Sequence, residues 1–64
     1  MKIFIEKENK HLVLDKVRNG KELLATLKIN PAMVLLVKND EVVLIDEELQ
    51  ESDEVRILSV VSGG

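Results

Sequence analysis

The sequence predicts an α+β fold in which a single helix packs on one face of a mixed β-sheet of four to five strands. Short runs of β-branched and aliphatic residues recur between polar turns, as the strands of a half-buried sheet require. Only one segment places apolar residues at helical spacing. The chain of 64 residues has no cysteine, so this one small domain must be held together by apolar packing.

The chain opens with a predicted β-hairpin. Residues 1–6 include β-branched and aromatic side chains, and residues 11–15 are mostly aliphatic, so each segment has the composition of a strand. The polar segment 7–10 lies between them and is the predicted turn.

The single helix is predicted to begin after Asn19 and to end at the Asn30-Pro31 pair. Asn19 can cap the helix through its side chain, and Glu22 three positions later completes a capping-box pattern. A residue before proline disfavours the helical conformation, which explains the expected end. Gly20 lies in the first turn and is expected to weaken the helix by about 0.5–1 kcal/mol relative to alanine. The apolar stripe that faces the sheet consists of Leu23, Leu24 and Leu27.

The C-terminal half carries the remaining strands. They are predicted over residues 33–38, 41–45 and 55–61. Asn39 and Asp40 form the expected two-residue turn, because both residue types tolerate positive φ. We expect a short helical turn at 46–50 and an acidic loop at 51–54. The acidic side chains of these two segments are interpreted first as a solvated surface and second as a means of steering the domain to a basic partner.

Strand alternation divides the apolar residues between the two faces of the sheet. The residues predicted to face the helix are Ile3, Ile5, Val55 and Ile57. This leaves Phe4, Leu58 and Val60 on the opposite face, where they form a candidate interaction patch. The alternative is that they are scattered surface hydrophobics of the ordinary kind. Met33 is expected to pack in the core.

The sequence ends in Ser62, Gly63 and Gly64, directly after the predicted last strand. Glycine has no Cβ atom, so this segment can take almost any backbone conformation and enter a narrow channel. When extended, it spans roughly 10 Å beyond the strand. We therefore divide the chain into a single domain over residues 1–61 and a flexible tail over residues 62–64. The alternative is a frayed end without a function.

Composition argues against several classes of function. A net charge of −3 and a single aromatic residue, Phe4, disfavour nucleic-acid binding, which uses basic surfaces and aromatic platforms. No segment is long and apolar enough to span a membrane and no signal-peptide pattern is present, so a cytoplasmic location is expected. His11 has no neighbouring metal ligands, and no pair of nucleophile and base is visible, so we assign no catalytic or metal-binding residue.

The order of elements and four short motifs resemble the β-grasp, or ubiquitin-like, fold and within it the ThiS and MoaD sulfur carriers. The motifs are Glu22-Leu23-Leu24 with Leu27, residues 34–37 with Asn39, residues 52–57, and the closing residues 60–64. Of the four motifs, only the last, with its terminal diglycine, is specific. Ser52 stands where the family commonly has glycine, and Gly20 where it usually has an apolar residue. Neither departure touches the tail.

The resemblance implies that the protein is a sulfur carrier, used as a cosubstrate rather than acting as an enzyme. An E1-like adenylating enzyme would use ATP and Mg²⁺ to activate the carboxylate of Gly64, and a persulfide-bearing sulfur donor would convert it to a thiocarboxylate. Gly63 would let the tail enter the adenylation site, and Phe4, Leu58 and Val60 would dock the carrier on its partner. The sulfur would then pass to a downstream synthase in thiamine (thiazole) biosynthesis. No stably bound cofactor is implied.

Three alternatives stay open on the sequence alone. The protein could carry sulfur for molybdopterin or for tRNA thiolation instead. It could be a ubiquitin-like modifier that is joined through Gly64 to lysines of other proteins, since both fates use the same adenylation. It could also be a β-grasp interaction domain whose terminal glycines are incidental.

Overall fold

Five strands and one α-helix make up the regular structure of the computed structural model, which describes residues 1–60. The strands are β1 (Lys2–Ile5), β2 (Lys10–Val13), β3 (Val34–Lys38), β4 (Glu41–Val43) and β5 (Glu54–Ser59). The helix α1 covers Gly20–Leu27, and short 3-10 helices lie at Glu6–Glu8 and Pro31–Met33. Each predicted strand is therefore present, with ends that differ by one or two residues, and the predicted strand end at residue 61 lies outside the described residues.

The strands form one mixed sheet in the order β2-β1-β5-β3-β4. β1 and β5 are parallel neighbours, whereas the β1–β2, β3–β5 and β3–β4 pairs are antiparallel. The predicted α+β fold, with one helix and one mixed sheet, is confirmed. Because β5 pairs with a strand on each side, the strand that leads towards the C-terminus occupies the centre of the sheet.

The core lies between α1 and one face of the sheet. Its most completely buried side chains are Ile3, Leu23, Leu24, Leu36, Val55 and Ile57. Ile5 is also buried, so all four strand residues that were predicted to face the helix do so. Each buried leucine or isoleucine contributes about 1.5–3 kcal/mol, and this packing replaces the disulfides that the chain lacks.

The helix begins as predicted and ends earlier than predicted. The Asn19 side-chain oxygen accepts a hydrogen bond from the Glu22 backbone N–H at 2.9 Å, which confirms the N-cap. At the other end, Lys28 adopts a left-handed conformation with φ 59° and closes the helix. The Asn30-Pro31 pair therefore does not end α1 but begins the following 3-10 helix.

Gly20 has a packing role that its position in the sequence did not reveal. A Cβ atom here would overlap the Leu36 side chain and the Ile45 carbonyl oxygen. The next residue, Lys21, donates its backbone N–H to the same Ile45 oxygen at 2.7 Å. The start of the helix is thus held against the segment that follows β4, and only glycine permits this close approach.

The prediction of a helical turn at 46–50 is wrong. The chain turns just after β4 and then runs past the start of α1, where Asn19 and Glu48 form an isolated β-bridge. The Leu49 N–H donates to the Arg18 carbonyl at 2.8 Å, and the Leu49 side chain is buried. Pairing with a distant part of the chain therefore decides the conformation of this segment.

Two expectations about individual side chains are also wrong. Met33, expected in the core, is 45% exposed because it lies at the end of a surface 3-10 helix. Asp53, expected in a solvated acidic loop, is buried and accepts two hydrogen bonds. In both cases the tertiary neighbours, rather than the residue type, determine the burial.

Candidate functional site

The structure follows the chain to Val60, just short of the predicted tail. Gly63 and Gly64, the residues predicted to enter a partner's active site, lie outside the described residues 1–60. Beyond the end of β5, the Val60 N–H donates to the Met33 carbonyl at 3.0 Å, so the pairing on the β3 side continues to residue 60. The chain therefore approaches its terminal glycines from a fixed point at one end of the sheet.

Phe4, Leu58 and Val60 lie on the sheet face opposite α1, which we call the outer face. Strand alternation places Phe4 and Leu58 there, because their neighbours in β1 and β5 are buried in the core. Val60 occupies the next alternate position after Leu58, where the pairing with the β3 side continues. Phe4 and Leu58 are half-buried, whereas Val60 is 48% exposed. Leu58 and Val60 lie close to the end of β5, while Phe4 pairs with Arg56 nearer the middle of the strand.

The outer face carries further apolar residues that were not predicted. Leu35 on β3 is the register partner of Leu58 on β5 and is 42% exposed. Leu44, directly after β4, is 76% exposed, and the β3–β4 register continued by one pair places it opposite Leu35. Leu58, Leu35 and Leu44 form a row across the sheet, which we call the apolar ridge. The ridge lies at the end of the sheet where β5 finishes.

Leu35 and Leu44 were missed because each lies in an uninterrupted apolar run, residues 34–37 and 42–45. Such runs lack the alternation that separates core residues from surface residues. The turn between β3 and β4 could have identified these two residues, because a two-residue turn fixes the register of the strands it joins. Its residues Asn39 and Asp40 both have positive φ as predicted. Counting outward from this two-residue turn places Leu35 opposite Leu44.

The other half of the outer face is more polar. Phe4 stacks against the exposed His11 of β2, with ring centroids 4.5 Å apart. Arg56, the partner of Phe4 on β5, lies 3.5 Å from the carboxylate of Asp40. An exposed ion pair of this kind contributes little to stability. The outer face thus changes from apolar near the end of β5 to aromatic and charged farther away.

A buried carboxylate fixes the start of β5. Asp53 accepts hydrogen bonds from the Gln50 backbone N–H at 2.7 Å and from the Asn39 side chain at 2.9 Å. Both bonds hold the pKa of Asp53 below its ordinary value, and the bond from Gln50 has the larger effect. Asn39 in turn accepts the Glu54 N–H at 3.0 Å. The β3–β4 turn and the beginning of β5 are therefore fastened together.

Lys38 fastens the segment that follows β4. Its ammonium donates to the Glu47 carboxylate at 2.8 Å and to the Glu48 carbonyl at 3.2 Å. The hydrogen bond to Glu47 raises the pKa of Lys38. Because Leu44 lies between β4 and Glu47, this contact helps to hold one end of the apolar ridge in place.

Residues 1–60 form no recognisable metal centre. No group of three or more histidine, aspartate or glutamate side chains in this range is placed to hold a metal ion. Across the same residues, every buried side-chain nitrogen or oxygen has a hydrogen-bond partner. The described part of the chain also has no helix long and apolar enough to cross a membrane. Within the described residues, the apolar ridge makes the outer face the candidate site.

The sheet order, the parallel neighbours β1 and β5, and the single helix define the chain as a small protein of the β-grasp fold. A family model described as the ThiS family matches residues 3–64, and the chain belongs to this family. The resemblance drawn from the sequence motifs is therefore confirmed. A relative from Thermus thermophilus, sulfur carrier protein TtuB, is 33% identical over 57 residues, which cover 89% of this chain and 88% of the relative.

Proposed function

We propose that this protein is a sulfur carrier whose terminal residue, Gly64, is converted to a thiocarboxylate. The ThiS family match is the main support, because it extends over residues 3–64 and so includes both final glycines. Similarity to sulfur carrier protein TtuB over most of both chains supports the same function. The fold suits a carrier, since the strand that leads to the tail is held at the centre of the sheet.

The chemistry would take place on the terminal carboxylate and would need partners. A carboxylate is a poor acyl donor, so an E1-like activating enzyme with ATP and Mg²⁺ first joins it to AMP and releases pyrophosphate. The metal offsets phosphate charge and orients the reacting groups. A persulfide-bearing donor protein then displaces AMP, and cleavage of the new S–S bond by a thiol leaves one sulfur in place of one oxygen on Gly64.

The chain itself contributes recognition rather than catalysis in this proposal. Gly63 has no side chain to obstruct the passage of Gly64 through a narrow channel. Phe4, Leu58 and Val60 dock the activating enzyme, because a few apolar anchors commonly carry most of the energy of an interface. Leu58 and Val60 are the best placed of the three, since they lie where the chain leaves the sheet.

We propose a downstream synthase of thiamine (thiazole) biosynthesis as the sulfur acceptor, because the family match is to the ThiS type. Transfer to tRNA or to molybdopterin would use the same thiocarboxylate and differ only in the acceptor. Conjugation through Gly64 to lysines of other proteins would begin with the same adenylate. The species that consumes activated Gly64 therefore distinguishes these outcomes.

The activation step is tested with the wild-type protein, the Gly63→Val variant and the activating enzyme of the same organism. Wild-type protein should support exchange of labelled pyrophosphate into ATP, because formation of the adenylate is reversible. Gly63→Val should fold normally, as judged by circular dichroism, and fail to support exchange because its side chain blocks the channel. Normal exchange with folded Gly63→Val would contradict the role of Gly63, and no exchange with wild-type protein would contradict the function.

A further inference from the structure

We infer that the docking surface continues from the apolar ridge onto the β4 edge of the sheet, and that the surface it meets on the activating enzyme is basic. The β4 edge is defined by Val42, Leu44 and Asp46. The inference rests on the proposed function, since the partner it names is the activating enzyme. It adds a sheet edge that Phe4, Leu58 and Val60 do not include.

Two large apolar side chains at this edge are strongly exposed. Leu44 is 76% exposed and Val42 is 65% exposed. Continuing the β3–β4 register places Leu44 opposite Leu35, which pairs with Leu58, so Leu44 is the outer end of the apolar ridge rather than an isolated surface leucine. A contiguous apolar patch on a small domain marks a surface for association.

The position of the edge relative to the tail points to the same partner. β3 runs antiparallel to both β4 and β5, so the last residues of β4 and β5 lie at the same end of the sheet. Leu44 and Val60 therefore lie on opposite sides of β3, near the point where the chain leaves the sheet. An enzyme that takes up the C-terminal segment lies against this end of the domain, within reach of Leu44.

The acidic residues near Leu44 indicate that the surface of the activating enzyme that meets the β4 edge is basic. Three acidic residues, Asp46, Glu47 and Glu48, follow Leu44 in the chain, and the Glu47 carboxylate is paired with Lys38. Asp46 is exposed and lines a groove beside Leu44, which Lys21 also lines. The complementary surface is apolar at its centre and carries lysine or arginine at its rim.

The apolar part of the inference is tested with Leu44→Asn, and Val13→Asn is the matched control. Val13 is 70% exposed and lies on the opposite edge, at the other end of the sheet. In the pyrophosphate-exchange assay, the KM for Leu44→Asn should rise about tenfold with an unchanged kcat, because only docking is weakened. Val13→Asn should raise KM less than Leu44→Asn, because Val13 shares the outer face with Phe4 but lies far from the apolar ridge. Thermal melting checks that both variants fold.

The charged part is tested with Asp46→Lys, and Asp15→Lys is the control. Both substitutions change the net charge equally, and exposed Asp15 follows β2 at the far end of the sheet. Asp46→Lys should raise KM more than Asp15→Lys at low ionic strength. The difference should shrink as salt is added, because screening weakens the interaction between exposed charges.

Failure of the inference is distinguishable from failure of the function. If Leu44→Asn has the same KM as the wild-type protein, the apolar edge is not part of the docking surface. If Asp46→Lys and Asp15→Lys have equal effects on KM, the surface of the activating enzyme that faces this edge is not basic. Either result overturns the inference while the proposed function stands. The absence of exchange with wild-type protein overturns the proposed function and the inference with it.

Discussion

At the scale of single residues, the best-defined polar groups fasten the scaffold. Asp53 joins Gln50 to Asn39, and Lys38 joins β3 to the segment after β4. None of these side chains belongs to the predicted docking set. The residues that hold the outer face in shape are therefore distinct from those proposed to touch a partner, and the two groups are separable by mutation.

Asp53→Asn should lower the free energy of unfolding by about 1–3 kcal/mol, because it places an amide NH₂ group against one of two hydrogen-bond donors. Glu51→Gln is the control, since Glu51 is an exposed neighbour. Urea unfolding at neutral pH measures both variants. Equal stability of the two would show that the Asp53 contacts contribute nothing.

The lowered pKa of Asp53 gives this contribution a pH dependence. A carboxyl group that is more acidic in the folded state stabilises it fully above the unfolded pKa of about 3.9. The stabilisation is lost as the pH falls through the folded pKa. The stability difference between wild type and Asp53→Asn should therefore shrink below about pH 4. A difference that stays constant down to the acid transition would contradict this role.

The Gly20→Ala variant shows whether helix propensity or packing determines stability at this position, because the two effects have opposite signs. In an exposed helix interior the substitution would stabilise by about 1 kcal/mol. Here we expect a loss of about 1–3 kcal/mol, because the added methyl group overlaps Leu36 and the Ile45 carbonyl. Thermal unfolding tests this, with Ala25→Gly on the exposed side of α1 to report the propensity effect alone. A raised Tm for Gly20→Ala would show that the close approach is unimportant.

At the scale of elements, local composition was sufficient to predict the strands, the turn and the helix start. Alternation in β1 and β5 also assigned their residues to the correct faces. It failed in β3 and β4, whose uniformly apolar runs hid Leu35 and Leu44. The segment 46–50 was mispredicted because its path depends on a β-bridge to Asn19. Contacts between distant segments, which no local pattern encodes, account for these errors and for the role of Gly20.

Leu58→Glu tests the strand that carries the predicted docking residues. The side chain is half-buried on the outer face, so a carboxylate can reach water in the free protein but would be desolvated at an interface. Calorimetric affinity for the activating enzyme should fall by at least about tenfold, with a melting profile close to wild type. Val13→Glu supplies the same charge change away from the ridge. An unchanged affinity would remove Leu58 from the docking surface.

At the scale of the whole molecule, the fold brings the proposed recognition surface close to the end of the central strand. The central strand carries the chain to one end of the sheet, and the apolar ridge lies at that same end. Residues 39–54, which contain eight acidic residues and no basic residue, include the edge strand β4. In the proposed function the partners supply ATP, metal and sulfur, so this small domain needs only to present its carboxylate and to be recognised.

Intact-protein mass spectrometry of the chain isolated from its own organism tests the central claim most directly. The proposed function predicts a species heavier by one oxygen-to-sulfur exchange, with fragment ions that place the exchange on Gly64. A diglycine remnant on lysines of other proteins, without the sulfur species, would favour a modifier instead. A Gly64 carboxylate that stays unmodified after incubation with ATP, Mg²⁺, a persulfide donor and the activating enzyme would contradict the sulfur-carrier function.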